Sequence, residues 1–280
     1  MTISAFEAFA CPLDGSALQL KGRSWQCEAG HSFDIARQGY VHLLPVQNKR
    51  SKDPGDNKEM VAARQRFLNA GFYQPIAGAL SCAVFHKNDH KTKMTCLDAG
   101  CGEGYYMHYL AEKAPDTIEL SLVGLDISKW AVLAAAKQYK GPAWVVGSNA
   151  NLPVLPETLD CVLCLFGFPV YPEFARVLRS GGEAVLVEAG PDHLRELREI
   201  IYPELKAPKQ PSNAAPDGFT TVETNVIRYS LTLPNKNAIA DLLAMTPHLY
   251  RARAEGLARA EELESLTVTV EANLKRLKKN

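Results

Sequence analysis

The sequence has no long apolar run and no excess of charge of either sign. None of its apolar stretches reaches the roughly 18 residues that a membrane-spanning helix requires, so we expect no membrane partner. Its 280 residues include 31 basic and 31 acidic side chains. A chain of zero net charge has no overall positive field that would attract nucleic acid. Binding to nucleic acid would therefore depend on local basic clusters.

Four basic clusters are present along the chain. They are Lys49, Arg50 and Lys52; Arg64 and Arg66; Arg251 and Arg253; and Lys275, Arg276, Lys278 and Lys279. Each of them is also compatible with an ordinary solvated surface. Charge alone therefore leaves the choice between a nucleic-acid surface and a solvated face open.

The sequence also lacks the features of a secreted protein. No basic segment precedes its first apolar residues, and Glu7 interrupts them, so we expect no signal peptide. The seven cysteines are odd in number and scattered, which favours a reducing cytoplasm over a disulfide framework. We expect Cys82 and Cys96 to be small buried residues. Cys161 and Cys164 lie in an apolar strand pattern that points them to opposite faces, so they belong to the core.

A turn with three glycines is the most informative local pattern. Residues 96–104 have the pattern of a buried strand that enters this turn, and a helix is predicted to begin directly after it. Gly100, Gly102 and Gly104 permit positive φ angles and bring bare amides close to a ligand. The N–H groups at the start of the helix add further donors. The pattern therefore predicts a ligand site.

Two acidic residues accompany this turn. Asp98 lies two residues before Gly100, and Asp126 ends the next predicted strand. The combination resembles the class I S-adenosylmethionine methyltransferases, in which the turn contacts the methionine end and the second acid binds both ribose hydroxyls. A carboxylate suits that task because it can accept two hydrogen bonds. The alternative for the whole pattern is an NAD-binding fold, which has an acid at the same place. The alternative for Asp126 alone is a plain surface acid at the end of a strand.

Predicted strands and helices alternate through the rest of the chain. Strands are expected at 94–98, 120–126, 143–147, 160–166 and 183–189, with helices near 104–114, 128–139, 171–179 and 192–205. This rhythm predicts an α/β fold with a doubly wound, mostly parallel sheet. Residues 219–233 and 265–275 alternate as closing antiparallel strands, with a helical stretch broken at Pro247 between them. Ligands bind at the carboxyl ends of such strands.

The N-terminal residues form a small unit with metal-ligand spacing. Cys11 and Asp14 resemble a zinc-ribbon knuckle, and Cys27 and His31 supply a second pair. So small a domain buries little surface, and a structural zinc would stabilise it. Asp14 departs from the usual cysteine, although carboxylates can bind zinc. The alternative is a metal-free module held by the packing of its apolar side chains, namely Leu13, Trp25, Phe33 and Tyr40.

A polar, basic connector leads from this unit to the first long helix. Residues 45–57 contain the basic cluster at Lys49, and Asp56 with Glu59 predicts a capping box. A helix should follow and end at Gly71. The connector is either an RNA-facing loop or a linker.

Several collinear blocks resemble one family, the bacterial 23S ribosomal RNA (guanine-N1)-methyltransferases. The blocks are residues 39–51, 53–56, 70–75, 98–106, 124–129, 190–194 and 245–247. The resemblance implies methylation of a guanine in a hairpin of 23S ribosomal RNA. It also implies a zinc-ribbon-like RNA-recognition module over 1–46, a basic connector and helix over 47–80, and an S-adenosylmethionine-dependent methyltransferase domain over 81–280.

The same resemblance implies further cofactor contacts from Tyr73, Gly102, Glu103 and His193. Asn149 follows the third strand of the sheet and could bind the adenine amino group or serve as a turn residue. We expect 23S ribosomal RNA as the partner, a cytoplasmic location, and, as an open possibility, a homodimer.

Three positions bear on the methyl acceptor. Phe166 and Phe168 are either stacking platforms for a base or ordinary core residues. Glu188, the acid at the end of the fifth strand, is the candidate base. The competing functions are a small-molecule methyltransferase of the same fold and a non-catalytic RNA-binding relative.

Overall fold

A computed structural model describes residues 2–48, 51, 53–85, 92–205 and 214–280. The basic residues Lys49, Arg50 and Lys52 lie outside this described part. Its strands are β1 (Thr2–Ser4), β2 (Gln19–Lys21), β3 (Ser24–Gln26), β4 (Ser32–Asp34), β5 (Tyr40–His42), β6 (Lys93–Ala99), β7 (Glu119–Asp126), β8 (Ala143–Val146), β9 (Leu159–Leu165), β10 (Leu178–Ala189), β11 (Phe219–Leu233) and β12 (Leu266–Lys279).

The helices alternate with these strands. They are α1 (Lys58–Asn69), α2 (Gln74–Phe85), α3 (Tyr105–Glu112), α4 (Lys129–Gln138), α5 (Tyr171–Val177), α6 (Arg195–Ile201), α7 (Lys236–Ala244), α8 (His248–Arg251) and α9 (Ala254–Glu261), and a 3-10 turn spans Val46–Asn48. No helix in the described ranges is long and apolar enough to cross a membrane.

One nine-stranded sheet organises the molecule. Its strand order is β11-β12-β10-β9-β6-β7-β8-β5, and β1 pairs with the start of β7. All pairs are parallel except those that involve β12. The chain turns from β6 to β7 on one side and reaches β9 on the other, so the carboxyl end of β6 is a topological switch point. The predicted doubly wound sheet with two closing antiparallel strands is confirmed.

The central parallel strands β6 and β9 are buried on both faces, as their near-continuous apolar sequences predict, whereas most of β11 is exposed. Cys161 packs in the core on one face and Cys164 in the core on the other, so the prediction that they are core residues on opposite faces is confirmed. Cys96 is buried as expected. The expectation for Cys82 is wrong, because that residue lies on the exposed side of α2.

The N-terminal residues are continuous with the main sheet. Strands β2, β3 and β4 form a separate three-stranded sheet, in which β2 and β3 pair as a hairpin. Strand β5 pairs in parallel with β8 at the edge of the large sheet. The Ala10 amide donates to the Pro153 carbonyl at 3.0 Å, and the Leu155 amide donates to the Ala8 carbonyl at 2.9 Å. Main-chain hydrogen bonds therefore attach the segment that precedes the small sheet to the loop between β8 and β9.

Two helix boundaries differ from the predictions for local reasons. The cap of α1 is Asn57, whose side chain accepts from the Met60 amide at 2.9 Å, and not the predicted Asp56. Helix α6 is shorter than the predicted 192–205. Leu194 has a left-handed φ of 54°, so the helix begins after it, and Pro203 disfavours helical geometry at the residue before it.

Gly124 in β7 gives a test of this packing. A Cβ atom there would overlap the buried ring of Trp144. We expect Gly124→Ala to lower the free energy of unfolding by about 1–3 kcal/mol, as overpacking of a core does. Chemical denaturation monitored by circular dichroism measures this change.

The matched control is Gly78→Ala in α2. The nearest atom to a Cβ at Gly78 is the Tyr109 hydroxyl at 3.8 Å, so this variant should gain about 0.5–1 kcal/mol from helix propensity. Equal stability of both variants would contradict the described packing of Trp144 on β7.

Candidate functional site

The glycine turn is held against the end of β7. Gly100, Gly102 and Gly104 have φ angles of 102°, 56° and 89°, so all three lie in the left-handed region that glycine adopts without strain. The amides of Gly100 and Cys101 both donate to the Leu125 carbonyl, at 2.8 and 3.0 Å. This double hydrogen bond fixes the turn at the switch point of the sheet.

Asp126 is oriented by the same region of the chain. Its Oδ2 accepts from the Gly102 amide at 3.0 Å and its Oδ1 accepts from the Ser128 amide at 2.7 Å. Burial raises the pKa of Asp126, and these two amides oppose that rise. Each carboxylate oxygen keeps a second lone pair. The side chain is therefore fixed in place and can still accept two hydrogen bonds from a ligand.

Two more carboxyl groups are buried beside the turn and have oxygens that lack hydrogen bonds. Both oxygens of Asp98 and the Oε1 of Glu103 have no hydrogen bond among the described residues. Burial raises the pKa of Asp98 to about 8, and the charges of Asp126 and Glu103 add to the rise. Burial raises the pKa of Glu103 to about 7, although Arg64 opposes it. Because an unpartnered buried polar group is costly, the pocket is suited to a ligand with hydrogen-bond donors and positive charge.

Three rings from distant parts of the chain form an aromatic cluster. The hydroxyl of Tyr73 is 3.3 Å from Nε2 of His193, and the ring of Phe166 lies 6.0 Å from Tyr73 and 5.6 Å from His193. Nδ1 of His193 accepts from the Glu271 amide at 3.3 Å, so in the neutral ring Nε2 carries the proton. Burial lowers the pKa of His193 to about 4. The imidazole is therefore neutral at physiological pH.

The loops after β8 and β9 carry the other candidate residues. The Nδ2 group of Asn149 donates to the carbonyls of Ala99 and Phe168, at 3.2 and 3.3 Å, so its Oδ1 remains available as an acceptor. Phe168 is 87% exposed and Phe166 is 39% exposed. The alternative that these phenylalanines are core residues is therefore wrong for Phe168.

Glu188 lies apart from the aromatic cluster. Its carboxylate forms an ion pair with the Lys275 ammonium at 3.3 Å, and 43% of its side chain is exposed. It shares a strand face with Leu186, which packs in the core on the opposite side of the sheet from Tyr73. Its assignment as a base stays a prediction.

The four expected metal ligands meet in the N-terminal module. The ligand atoms of Cys11, Asp14, Cys27 and His31 all lie within 4.8 Å of one another. Nδ1 of His31 is 3.0 Å from Asp14 Oδ2, 3.3 Å from Cys27 Sγ and 3.5 Å from Cys11 Sγ. Tetrahedral zinc with bonds of about 2.0–2.3 Å separates its ligands by about 3.3–3.8 Å.

Asp14 is also prepared for this role by its neighbour Ser16. The amide and hydroxyl of Ser16 donate to Asp14 Oδ1 at 2.9 and 2.6 Å, which leaves Oδ2 directed at the cluster. These hydrogen bonds hold the pKa of Asp14 well below its usual value. An ionised carboxylate, two thiol sulfurs and an imidazole nitrogen together fit a zinc ion.

Sequence reasoning missed the role of Arg64 and Asp56, which form an ion pair beside the glycine turn. The Nη2 group of Arg64 also donates to the Met245 carbonyl at 3.3 Å. The Ser128 hydroxyl donates to the Asp56 carbonyl at 2.6 Å, so the start of α1 is attached next to Asp126. Arg64 was visible in the sequence only as part of a basic cluster, because its contact with Met245 spans 181 residues.

Known proteins share both parts of this arrangement. Residues 9–52 match a zinc-ribbon family model described as "RlmA, N-terminal". Residues 96–182, which include the glycine turn and Asp126, match a model described as "Methyltransferase domain".

Three curated relatives are similar along nearly the whole chain. YxjB of Bacillus subtilis is 32% identical, with 96% of each chain covered, and a protein of Micromonospora griseorubida is 32% identical, with 95% of each covered. Both carry provisional names as 23S rRNA (guanine-N(1)-)-methyltransferases. The 23S rRNA (guanine(748)-N(1))-methyltransferase of Streptomyces fradiae is 31% identical, and the match covers 89% of this chain and 88% of that one.

The metal cluster leads to a first prediction for this site. Asp14→Ala should lower the zinc content of protein purified without chelator, because the cluster then has three ligands. Asp14→Cys should retain zinc more firmly, since thiolate is the softer ligand. Elemental analysis by mass spectrometry measures both.

The matched control is Asp34→Ala, which removes an exposed carboxylate of the same module and should leave the zinc content unchanged. A stoichiometric metal other than zinc, or equal zinc in all variants, would overturn the assignment.

The buried carboxyl groups lead to a second prediction. Because folding raises the pKa values of Asp98 and Glu103, they cost the unliganded protein stability as the pH rises towards 7 and 8. Binding of cationic S-adenosylmethionine should lower both pKa values and release protons near pH 7. Calorimetric titration in buffers of different ionisation enthalpy measures this release.

The double variant Asp98→Asn with Glu103→Gln should bind without releasing protons. A binding enthalpy of the parent protein that does not depend on the buffer at pH 7 would contradict the expectation.

Proposed function

The chain belongs to the family of 23S rRNA (guanine-N1)-methyltransferases, and we propose that it methylates N1 of a guanine in a hairpin of 23S ribosomal RNA. The observation that carries this proposal is the similarity to these relatives over nearly the whole chain, including the N-terminal module. A small-molecule methyltransferase of the same fold would not need that module.

S-Adenosylmethionine is the methyl donor of this family, and its charge suits the acidic pocket. We assign the methionine end to the turn at Gly100, Gly102 and Gly104, with Asp98 and Glu103 beside it. The ribose hydroxyls are assigned to Asp126 and the adenine amino group to Asn149. Tyr73 and His193 complete the set of cofactor residues. Support comes from the unpartnered oxygens of Asp98 and Glu103 and from the orientation of Asp126.

The reaction moves a methyl group from sulfur to nitrogen. The guanine N1 lone pair forms the new bond to carbon, the bond from carbon to the sulfonium breaks, and sulfur keeps the electron pair as S-adenosylhomocysteine. The N1 proton leaves to a base or to water. Alignment of N1 with the methyl group supplies most of the rate gain, because the sulfonium is already a good leaving group.

The target base must leave its pair, since N1 of a paired guanine faces its partner. Phe168 and Phe166 lie in the loop after β9 with exposed rings. We propose that they stack on the extruded guanine. Glu188 stays the candidate base. Its ion pair with Lys275 would have to break before the carboxylate could accept the N1 proton.

The remaining parts of the proposal concern organisation and location. We propose one structural zinc in a module over residues 1–46, a connector over 47–80 and the methyltransferase domain over 81–280. The connector residues Lys49, Arg50 and Lys52 are proposed to hold RNA phosphates. We place the protein in the cytoplasm, where its substrate is, and propose that it forms a homodimer.

The test uses ribosomal RNA from a strain that lacks the gene. The full chain with radiolabelled S-adenosylmethionine should label the 23S fraction, and nucleoside mass spectrometry should identify 1-methylguanosine. Asp126→Ala should lower cofactor affinity at least about tenfold, since each charge-assisted hydrogen bond contributes about 1.5–3 kcal/mol.

Glu255→Ala removes an exposed carboxylate of α9 and should behave like the parent protein. A different methylated nucleoside would refute the N1 assignment. Labelling of small metabolites but never RNA would favour the small-molecule methyltransferase.

A further inference from the structure

Arg64 is a basic side chain placed directly over the glycine turn. Its ion pair with Asp56 and its hydrogen bond to the Met245 carbonyl hold it there. A Cβ atom built on Gly102 would lie 3.6 Å from both the Cδ and the Nη1 atom of Arg64. The guanidinium therefore borders the space above Gly102, and 23% of the side chain remains exposed.

The guanidinium keeps donors for a further partner. It has five N–H groups in a planar fork, and Asp56 and Met245 use only part of them. Arg64 has no other protein partner within the described ranges. The unused N–H groups lie beside the glycine turn, close enough to Glu103 and Asp126 for their charges to act on the guanidinium.

Arg64 is the cation among several acidic side chains beside the glycine turn. Burial would lower the pKa of Arg64, but Asp56, Glu103 and Asp126 hold it above its usual value. The acids suit the sulfonium and the ammonium group of the cofactor, whereas they repel its α-carboxylate. That carboxylate needs a cation, and a guanidinium can bind it through two parallel hydrogen bonds.

We propose that Arg64 binds the α-carboxylate of S-adenosylmethionine and that Asp56 holds the guanidinium in position. The proposal rests on the proposed function only in its choice of cofactor. It makes Arg64 the residue that distinguishes an amino-acid-bearing sulfonium nucleoside from a nucleoside without the amino acid.

Two thioether nucleosides separate this role from a structural one. S-Adenosylhomocysteine carries the α-carboxylate, and 5′-methylthioadenosine has the same nucleoside and sulfur without the amino acid. Calorimetric titration of the full chain should show that Arg64→Ala weakens binding of S-adenosylhomocysteine about 10- to 100-fold, the range of a charge-assisted pair. Binding of 5′-methylthioadenosine should change less than about twofold.

Arg66→Ala is the matched control. Arg66 lies two residues further along α1, is 63% exposed and forms an ion pair with Asp241 away from the turn, so its removal should change neither affinity. Arg64→Lys keeps the charge but not the planar fork, and we expect it to lose part of the affinity for S-adenosylhomocysteine alone. It provides the same comparison if the alanine variant fails to fold.

Equal losses for both nucleosides would show a structural role and overturn the proposal, and so would unchanged binding of S-adenosylhomocysteine. If either result is found and the parent protein still methylates ribosomal RNA, the proposed function stands. A parent protein that binds neither nucleoside would refute the proposed function and this assignment with it.

Discussion

The attachment of the glycine turn to the end of β7 is the constraint on which the site depends. The carbonyl of Leu125 accepts two amides of the turn, and the next residue, Asp126, accepts the Gly102 amide. These bonds fix the turn and orient the carboxylate together. Because the Ser128 hydroxyl donates to the Asp56 carbonyl, the start of α1 is attached at the same place. One strand end thus positions the turn, the second acid and the ion pair that involves Arg64.

The same geometry explains why two carboxyl groups beside the turn are costly to ionise. Asp98 and Glu103 are buried in this low-dielectric region, and among the described residues both oxygens of Asp98 and one of Glu103 have no hydrogen-bond partner. The raised pKa values of both carboxyls record the cost of ionising them. A cationic ligand with hydrogen-bond donors would remove part of this cost. The neutral His193 adds no competing positive charge.

The sequence predicted what depends on local pattern. Apolar strand runs predicted the mostly parallel sheet with its closing antiparallel strands, and the three glycines predicted the turn at Gly100, because each depends on neighbours in the chain. The four metal ligands followed from spacing in the same way. The hydrogen bond between Arg64 and the Met245 carbonyl could not be predicted in this way, because the two residues are 181 positions apart and no local pattern links them. Helix α2 was missed since its sequence is apolar on nearly every side, and the exposure of Cys82 was missed with it.

The N-terminal module is positioned by the domain that it accompanies. Strand β5 extends the large sheet, and the side chain of Asn151 donates to the Pro12 carbonyl at 3.4 Å, directly after Cys11. Asn151 belongs to the loop that carries Asn149, the candidate adenine contact. A metal at the Cys11 knuckle would therefore stiffen a segment that touches the cofactor loop. Because the two parts share main-chain hydrogen bonds, an RNA bound to the module would be held at a fixed distance from the methyl donor, which is what an alignment-driven transfer requires.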